Sequence, residues 1–265
     1  MNRIEEHFAR ARVENRKSLI LFLTAGFPDL DTTEKIIETV AASGCDVLEL
    51  GVPFSDPIAD GPTIQASSTA ALAAGTTLAK ILDLVERLRK RCDIPILLFG
   101  AYNPFLRYGL EDLVERARRI GIDGFLVPDL PIEESADFEA LCRTAGLSLV
   151  YLVAPTTPPE RMRRIAERST GFLYFISMKG VTGGLLKVTD ELREQMRTLR
   201  EAAGDLPVAI GFGISTPKDV AELSTICDVV VVGSALIRLI GRCKDSPDLL
   251  DEIAKYVGSL KAALS

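Results

Sequence analysis

The chain has 265 residues, of which 47% are hydrophobic and 26% charged, and its formal net charge is -6. This composition predicts one large domain over residues 1–265, and the negative charge disfavours nucleic acid or an anionic membrane as the main partner. No run approaches the roughly 18 consecutive apolar residues of a membrane span. Because the N-terminus also lacks the apolar core of a signal peptide, we expect a cytoplasmic protein.

Short apolar runs recur along the chain and predict eight β-strands. In chain order they cover residues 19–24, 47–50, 94–99, 124–127, 147–153, 172–177, 208–212 and 229–232. Segments with helical spacing, such as 32–40 and 111–120, separate these runs. Residues 4–13 predict an extra helix before the first strand, and residues 249–264 predict the final helix.

Alternation of strand and helix is typical of parallel strands joined by crossover helices. Three helix-to-strand turns indicate a repeated unit, because Asp46, Asp123 and Asp228 each precede a strand in a similar context. Eight units in about 250 residues predict an α/β fold, a (β/α)8 TIM barrel with the extra N-terminal helix capping its bottom. A doubly wound open sheet is the alternative, although the first strand lacks a Gly-x-Gly-x-x-Gly turn.

The cysteines and the single histidine indicate no metal centre. The five cysteines are odd in number, widely spaced and without a Cys-x-x-Cys pattern, which predicts neither a disulfide framework nor a zinc site. His7 lies outside every other motif, so a histidine-based dyad and an ordinary transition-metal site are not expected.

An acid stands inside the second predicted strand. Alternation puts Glu49 on the opposite face from Leu48 and Leu50, in a run that is apolar enough to be buried on both faces. A buried carboxylate tends to be paired, protonated or part of a site, whereas an acid at a wet strand end needs no such explanation. Asp60 closes the Pro- and Gly-rich loop that follows. Two carboxylates therefore leave one strand end, which favours a functional site.

Glycine-rich turns follow the last two predicted strands, at residues 211–215 and 233–234. In barrels these loops are the usual phosphate site, although a tight turn would also explain either one.

Residues 178–189, after strand six, suit a flexible lid or an ordinary exposed connector. Phe22 and Tyr174 are expected to face the barrel interior, with core packing as the default explanation.

Along its length the sequence resembles the tryptophan synthase α subunit family. The residues LELGVPFSDP at 48–57 with ADGP at 59–62 match that family's signature almost residue for residue. Further matches are TAGFP at 24–28, YNP at 102–104, VPDLP at 127–131 with EES at 133–135, GVTG at 180–183, GFGIS at 211–215 and GS at 233–234.

The resemblance implies a barrel enzyme, a carbon–carbon lyase of tryptophan biosynthesis. It would cleave indole-3-glycerol phosphate to indole and glyceraldehyde 3-phosphate by a retro-aldol reaction. The indole would pass through a tunnel to a β subunit, within an α2β2 heterotetramer. Pyridoxal phosphate is expected only in that β partner, so this chain would need neither a cofactor nor a metal.

The resemblance also implies a role for each matched residue. Glu49 would be the general acid and base, and Asp60 would accept a hydrogen bond from the indole N–H and stabilise positive charge on the ring. The other roles are indole contact by Phe22 and Ile64, cavity lining near Glu49 by Tyr174, lid closure near Asp60 by Thr182, and phosphate binding by Gly183, Gly213, Gly233 and Ser234.

Three positions depart from the family's pattern. Ala101 replaces a tyrosine, Pro128 stands where alanine is common, and Met178 stands where some members carry arginine. Because of the change at Ala101, Tyr102 is not assigned to the site.

Three other functions stay open as alternatives. They are a freestanding lyase that releases indole, a non-catalytic activator of a β subunit, and another sugar-phosphate barrel isomerase or epimerase.

Overall fold

Nine strands form a single sheet in the computed structural model, which describes residues 1–176, 188–211 and 213–264. The strands are β1 Ser18–Thr24, β2 Val47–Gly51, β3 Ile96–Phe99, β4 Gly124–Leu126, β5 Ser148–Val150, β6 Leu152–Val153, β7 Leu173–Ile176, β8 Val208–Gly211 and β9 Val229–Val232. The helices of the described ranges are α1 Arg3–Val13, α2 Leu30–Ala42, α3 Pro62–Ala73, α4 Leu78–Leu88, α5 Tyr102–Tyr108, α6 Leu110–Ile120, α7 Ala136–Ala145, α8 Pro159–Arg168, α9 Asp190–Ala203, α10 Pro217–Ser224, α11 Ser234–Cys243 and α12 Leu249–Ala262.

The sheet is a nearly closed parallel barrel, which confirms the predicted fold. Neighbouring strands follow the order β5-β4-β3-β2-β1-β9-β8-β7-β6. The two outermost strands, β5 and β6, are consecutive in the chain and are separated only by Tyr151. The barrel therefore closes through this one residue.

The prediction of one continuous strand over residues 147–153 is wrong. The segment is divided because β5 pairs with β4 while β6 pairs with β7. Tyr151 stands at the change of partner: its carbonyl accepts a hydrogen bond from the Tyr174 amide (3.2 Å), and its hydroxyl donates to Ser135 (2.6 Å) outside the sheet. The break allows this segment to pair with β4 through β5 and with β7 through β6.

The extra N-terminal helix closes the bottom of the barrel, as predicted. Asn2 caps α1 by accepting from the Glu5 amide (3.1 Å), and Glu5 completes a capping box. Ile4 and Phe8 of this helix are buried, and Phe8 meets Phe172 edge-to-face at 5.7 Å. Burying two such side chains contributes about 1.5–3 kcal/mol each. They join the inward-facing side chains Ile20, Val47, Leu97, Leu126, Val150, Phe172, Tyr174, Ala209, Val229 and Val231.

The three acids of the sequence repeat clamp the starts of strands. Each carboxylate precedes one strand and accepts the backbone N–H at the start of a neighbouring strand: Asp46 from Leu19 (2.7 Å), Asp123 from Ile96 (2.9 Å) and Asp228 from Val208 (3.0 Å). Each also meets a cation: Asp46 pairs with Lys261, Asp123 with Arg89 (3.1 Å) and Asp228 with Arg200 (2.9 Å). The repeat therefore stabilises the amino ends of the strands, opposite to the end where active sites of barrels lie.

The surrounding helices bury one face each against the barrel. In α6, Leu113, Val114, Ala117 and Ile120 are buried at helical spacing, and the helix ends at Gly121 in the left-handed region with φ 82°. Within the described residues, no single helix has the length and hydropathy of a membrane span; only α3 and α4 together pass, and they are bent by 92°.

Candidate active site

Glu49 lies in the middle of β2 and points into the barrel. It shares the inward face with Val47, and the register places it beside Phe22 of β1 and Leu97 of β3. The side chain is 1% exposed, so the alternative of an acid at a wet strand end is wrong. Its Oε1 atom is buried and has no hydrogen-bond partner among the described residues.

Burial controls the charge of Glu49. Because the carboxylate would be desolvated, the pKa of Glu49 is raised from 4.5 to about 8. The group is therefore largely protonated at neutral pH. A protonated carboxyl with one free oxygen, at the inner surface of a barrel, can donate a proton to a substrate atom and take one back.

Tyr174 faces the barrel interior, as Glu49 does. Burial raises the pKa of Tyr174 well above its usual value, and the Glu49 charge raises it further. The ring reaches the backbone of β8: a Cβ atom on Gly211 would lie 2.1 Å from the Tyr174 hydroxyl. Gly211 therefore provides the space that this hydroxyl occupies.

Asp60 is held at the mouth of the barrel by the loop after β2. Its amide donates to the Pro57 carbonyl (3.1 Å), and the Gln65 side chain donates to the Asp60 carbonyl (2.9 Å). The carboxylate makes no hydrogen bond or ion pair with another described residue. Partial burial raises the pKa of Asp60 from 3.8 to about 6, which leaves it mostly ionised at neutral pH. The two acids thus have different charge states.

A pocket at the mouth brings Asp60 together with the two expected indole contacts, Phe22 and Ile64. Phe22 packs edge-to-face on Phe99 at 5.3 Å. A Cβ atom on Gly51 would lie 2.5 Å from the Phe22 ring, so the glycine at the end of β2 makes room for it. The remaining lining residues are Thr24, Val52, Phe54, Pro57, Ala59, Ser68, Gly100, Ala101, Pro128 and Asp129.

Helix α3 places Ile64 against the barrel. Ser67 donates to the Ile64 carbonyl (2.8 Å), and since this uses its only proton, the Thr24 hydroxyl donates to Ser67 (2.7 Å). Both hydroxyl residues are almost completely buried. The end of β1 therefore holds the first turn of the helix that follows Asp60.

The described part of the predicted phosphate site consists of Gly213, Gly233 and Ser234. Gly233 is the N-cap of α11 and Ser234 its first residue, and no side chain of the described residues bonds to the N–H groups at the start of this helix. Its first N–H groups are therefore open to an anion, and the helix dipole adds partial positive charge. Gly213, with φ 72°, follows β8 in a conformation that suits glycine. A Cβ atom on Gly233 would lie 3.2 Å from Phe22 Cβ, which places the start of α11 beside one of the two expected indole contacts.

Thr182, Gly183 and Met178, which the sequence analysis singled out, lie outside the described residues.

The sequence analysis did not assign Phe99 or Asp129 to the pocket, although Asp129 is part of a matched motif. The Asp129 carboxylate accepts a hydrogen bond from the Tyr102 amide (2.8 Å) and caps α5. Ala101 and Pro128, which depart from the family's pattern, do line the pocket, whereas the Tyr102 ring turns away to pack on Phe138.

No cysteine is among the residues that line this pocket. All five cysteines are free thiols, and four of them are buried. Within residues 1–176, 188–211 and 213–264, no group of three or more His, Cys, Asp or Glu side chains is placed to hold a metal ion.

Comparison with known proteins assigns residues 8–265 to the family model described as tryptophan synthase alpha chain. The tryptophan synthase alpha chain of Geobacter sulfurreducens is 48% identical over 264 residues, covering 100% of this chain and 99% of the relative. The alpha chain of Gloeobacter violaceus is 45% identical over 262 residues, covering 98% and 94%.

Solved structures show the same likeness. The tryptophan synthase alpha subunit of Legionella pneumophila superposes with a TM-score of 0.92 at 36% identity, covering 100% of this chain and 98% of that one. A chain of Mycobacterium tuberculosis tryptophan synthase in an open form gives 0.89 at 31% identity, covering 100% and 99%.

Proposed function

Since the chain belongs to the tryptophan synthase alpha chain family, we propose that Glu49 and Asp60 perform its cleavage of indole-3-glycerol phosphate. Membership makes the chain a carbon–carbon lyase of tryptophan biosynthesis that works with a beta subunit. The products are indole and glyceraldehyde 3-phosphate. The observation that carries the residue assignment is the pair of acids with different charge states, Glu49 buried within β2 and Asp60 in the loop that follows it.

Glu49 moves the protons. The protonated carboxyl donates to C3 of the indole ring, which gives an indolenine and leaves a carboxylate. The carboxylate then takes the proton of the glycerol hydroxyl next to C3. As that oxygen becomes an aldehyde, the C3–carbon bond breaks and its electron pair returns to the ring. Glu49 ends as it began, so the step needs no other acid or base.

Asp60 stabilises the charged intermediate. Its ionised carboxylate accepts a hydrogen bond from the indole N–H at the pocket that Phe22 and Ile64 also line. Positive charge develops on this nitrogen when C3 is protonated, so the interaction is stronger in the transition state than in the bound substrate. Its pKa of about 6 keeps Asp60 negative while Glu49 is neutral.

The rest of the barrel mouth positions the substrate. The apolar surfaces of Phe22 and Ile64 hold the indole ring, and the phosphate lies at the open N-terminus of α11 with Gly233 and Ser234. Gly213, and Gly183 from the undescribed segment, complete the phosphate site. Tyr174 fills the space beside Glu49 and keeps water away from the carboxyl, which maintains the raised pKa of the acid.

An assay of indole release tests this proposal against the other functions. Wild type should form indole from indole-3-glycerol phosphate, whereas a sugar-phosphate isomerase or a non-catalytic activator would not. Glu49→Gln should lose about 10²- to 10⁴-fold in turnover with substrate affinity within an order of magnitude, because only proton transfer is removed. Asp60→Asn should lose about 10²-fold.

The matched control for both variants is Glu115→Gln, an exposed glutamate on α6 without an ion pair among the described residues. It should keep wild-type turnover. Near-normal turnover in Glu49→Gln would reject the assignment of the proton carrier, and normal turnover in Asp60→Asn would reject the electrostatic role.

The partner arrangement follows from the resemblance and extends the proposal. We infer an α2β2 complex in the cytoplasm, with indole passing through a tunnel to the beta subunit and pyridoxal phosphate bound only there. Thr182 would close over Asp60 when substrate and partner are bound. The freestanding lyase remains the alternative, and it predicts full activity without any partner.

A further inference from the structure

A cleft of about 510 Å³ lies between α11 and α12, on the outer side of the barrel. Its size is that of a small-molecule site. It shares no residue with the pocket that contains Asp60. Ser215 and Ala235 are at its edge, so it adjoins the predicted phosphate loops from outside.

The side chains of the cleft are unusually basic for this acidic protein. Arg238 and Arg242 stand one helical turn apart on α11, and Lys255 faces them from α12. Lys255 is paired with Glu252 (3.1 Å), but neither arginine has an ion pair or hydrogen bond with a described residue. Arg238, Arg242, Lys255 and Glu252 together carry three positive charges and one negative charge, whereas the whole chain has a formal net charge of -6. The two free guanidinium groups are therefore available to an anion.

The floor of the cleft is apolar and fixed. Leu239 is 8% exposed, and the Tyr256 ring lies beside it, half-buried. The Tyr256 hydroxyl donates to the Ser215 carbonyl (2.9 Å), which holds the ring in place and connects α12 to the loop after β8. A ligand here would meet two cations at one side and a carbon surface at the other.

We propose that this cleft binds a small organic anion with at least two negative charges, through Arg238 and Arg242, with its carbon skeleton against Leu239 and Tyr256. Phosphate monoesters and di- or tricarboxylates share this chemistry. The site is separate from the active site and does not depend on the assignment of Glu49 and Asp60.

Tyrosine NMR tests the proposal directly, because Tyr256 is one of only five tyrosines and the chain has no tryptophan. The full-length protein is prepared with ¹³C-labelled tyrosine rings, and the Tyr256 signal is assigned with Tyr256→Phe. Glycerol 3-phosphate and citrate serve as the probes. The Tyr256 signal should shift saturably with at least one of them, and the effective probe identifies the phosphate or the carboxylate class.

The double variant Arg238→Gln/Arg242→Gln should weaken the response at least about tenfold, since charge-assisted hydrogen bonds are lost. Arg118→Gln/Arg119→Gln on α6 removes the same charge from two exposed arginines and should leave it unchanged. If the first double variant does not fold by circular dichroism, the single variants Arg238→Gln and Arg242→Gln provide the same comparison.

A final variant separates the cleft from the active site. Gly233→Asp blocks the predicted phosphate site, so the Tyr256 response should persist in it. Loss of the response in Gly233→Asp would show that it originates in the active site and would overturn the proposal. Equal responses in both arginine double variants would also overturn the proposal. So would the absence of a saturable shift up to about 10 mM of either probe, a limit that corresponds to a binding free energy weaker than about -2.7 kcal/mol.

Discussion

Glu49 and Asp60 show how position alone gives two carboxyl groups different chemistry. Glu49 lies within β2 and Asp60 in the loop that follows it, yet the deeper Glu49 is neutral at pH 7 and the outer Asp60 is charged, with pKa values of about 8 and about 6. Neither shift needs a neighbouring charge, because desolvation is the cause in both. Depth in the barrel therefore separates the acid from the electrostatic stabiliser.

The two pKa values predict a bell-shaped pH profile for indole formation. In the free enzyme, kcat/KM should fall below about pH 6, where Asp60 is protonated, and above about pH 8, where Glu49 loses the proton that it must donate. The measurement is kcat/KM from pH 5 to 9.5. Asp60→Asn should lose the acidic limb in its residual activity; an unchanged acidic limb in this variant would assign that pKa to another group.

Glu49 should also make folding stability depend on pH. The folded protein keeps the Glu49 proton between pH 4.5 and about 8, where the unfolded chain releases it, so stability is greatest below this window and falls as pH rises through it. The loss is up to about 5 kcal/mol. Urea unfolding of Glu49→Gln should show a correspondingly weaker decline, with Glu115→Gln as the control. Parallel curves for wild type and Glu49→Gln would contradict the raised pKa.

At the scale of elements, we expect α11 to connect phosphate binding to indole binding, because a Cβ atom on its N-cap Gly233 would lie 3.2 Å from Phe22 Cβ. We expect Gly233→Asp to weaken substrate binding by about 10²-fold, since it puts a negative charge at the proposed phosphate site. Gly233→Ala is the matched control. Its Cβ atom fits once Phe22 has shifted by a few tenths of an ångström, so substrate binding should weaken much less. The measurement is the substrate Kd, with inorganic phosphate as a competitor. Equal affinity in wild type and Gly233→Asp would remove the phosphate from α11.

The sequence was sufficient for most elements and insufficient where one element meets another. The strand β2 and its acid followed from alternation, and the barrel followed from eight repeated units. The break at Tyr151 did not, because residues 147–153 are apolar throughout and only pairing with two neighbours divides them. Phe99 was missed for a similar reason: nothing local distinguishes it, and its role comes from contact with Phe22 of another strand.

At the scale of the whole molecule, the two ends of the barrel have separate tasks. The aspartate clamps lie at the amino ends of the strands, far from the acids at the mouth. Asp123→Asn leaves Arg89 buried without a charged partner and should lower the free energy of unfolding by about 3 kcal/mol. Asp205→Asn, in an exposed pair with Arg12, should cost less than about 1 kcal/mol. Both variants should retain turnover when folded, and a large loss of turnover in folded Asp123→Asn would contradict the separation.

We also expect the partner to act on the molecule as a whole. Indole formation should rise strongly when a beta subunit that cannot consume indole is titrated in, because we propose that the partner favours the closed site. Thr182→Val should lose much of this activation, since the methyl group keeps the volume but cannot bond to Asp60. Equal activation of both proteins would reject closure through Thr182, and no activation of wild type would favour a freestanding lyase.

The glycines that make room for Phe22 and Tyr174 restrict how this enzyme could evolve. A Cβ at Gly51 or Gly211 would lie 2.5 Å or less from an aromatic side chain, so a change at either glycine alone is harmful. Once Phe22 has become a smaller residue such as leucine, the ring atoms nearest to a Cβ at Gly51 are gone, and the same change at Gly51 costs less because the Leu23 carbonyl at 3.3 Å is the tight contact that remains. The order of the two substitutions then decides whether the second one is tolerated. Evolution toward a different substrate has to change Phe22 first and Gly51 afterwards.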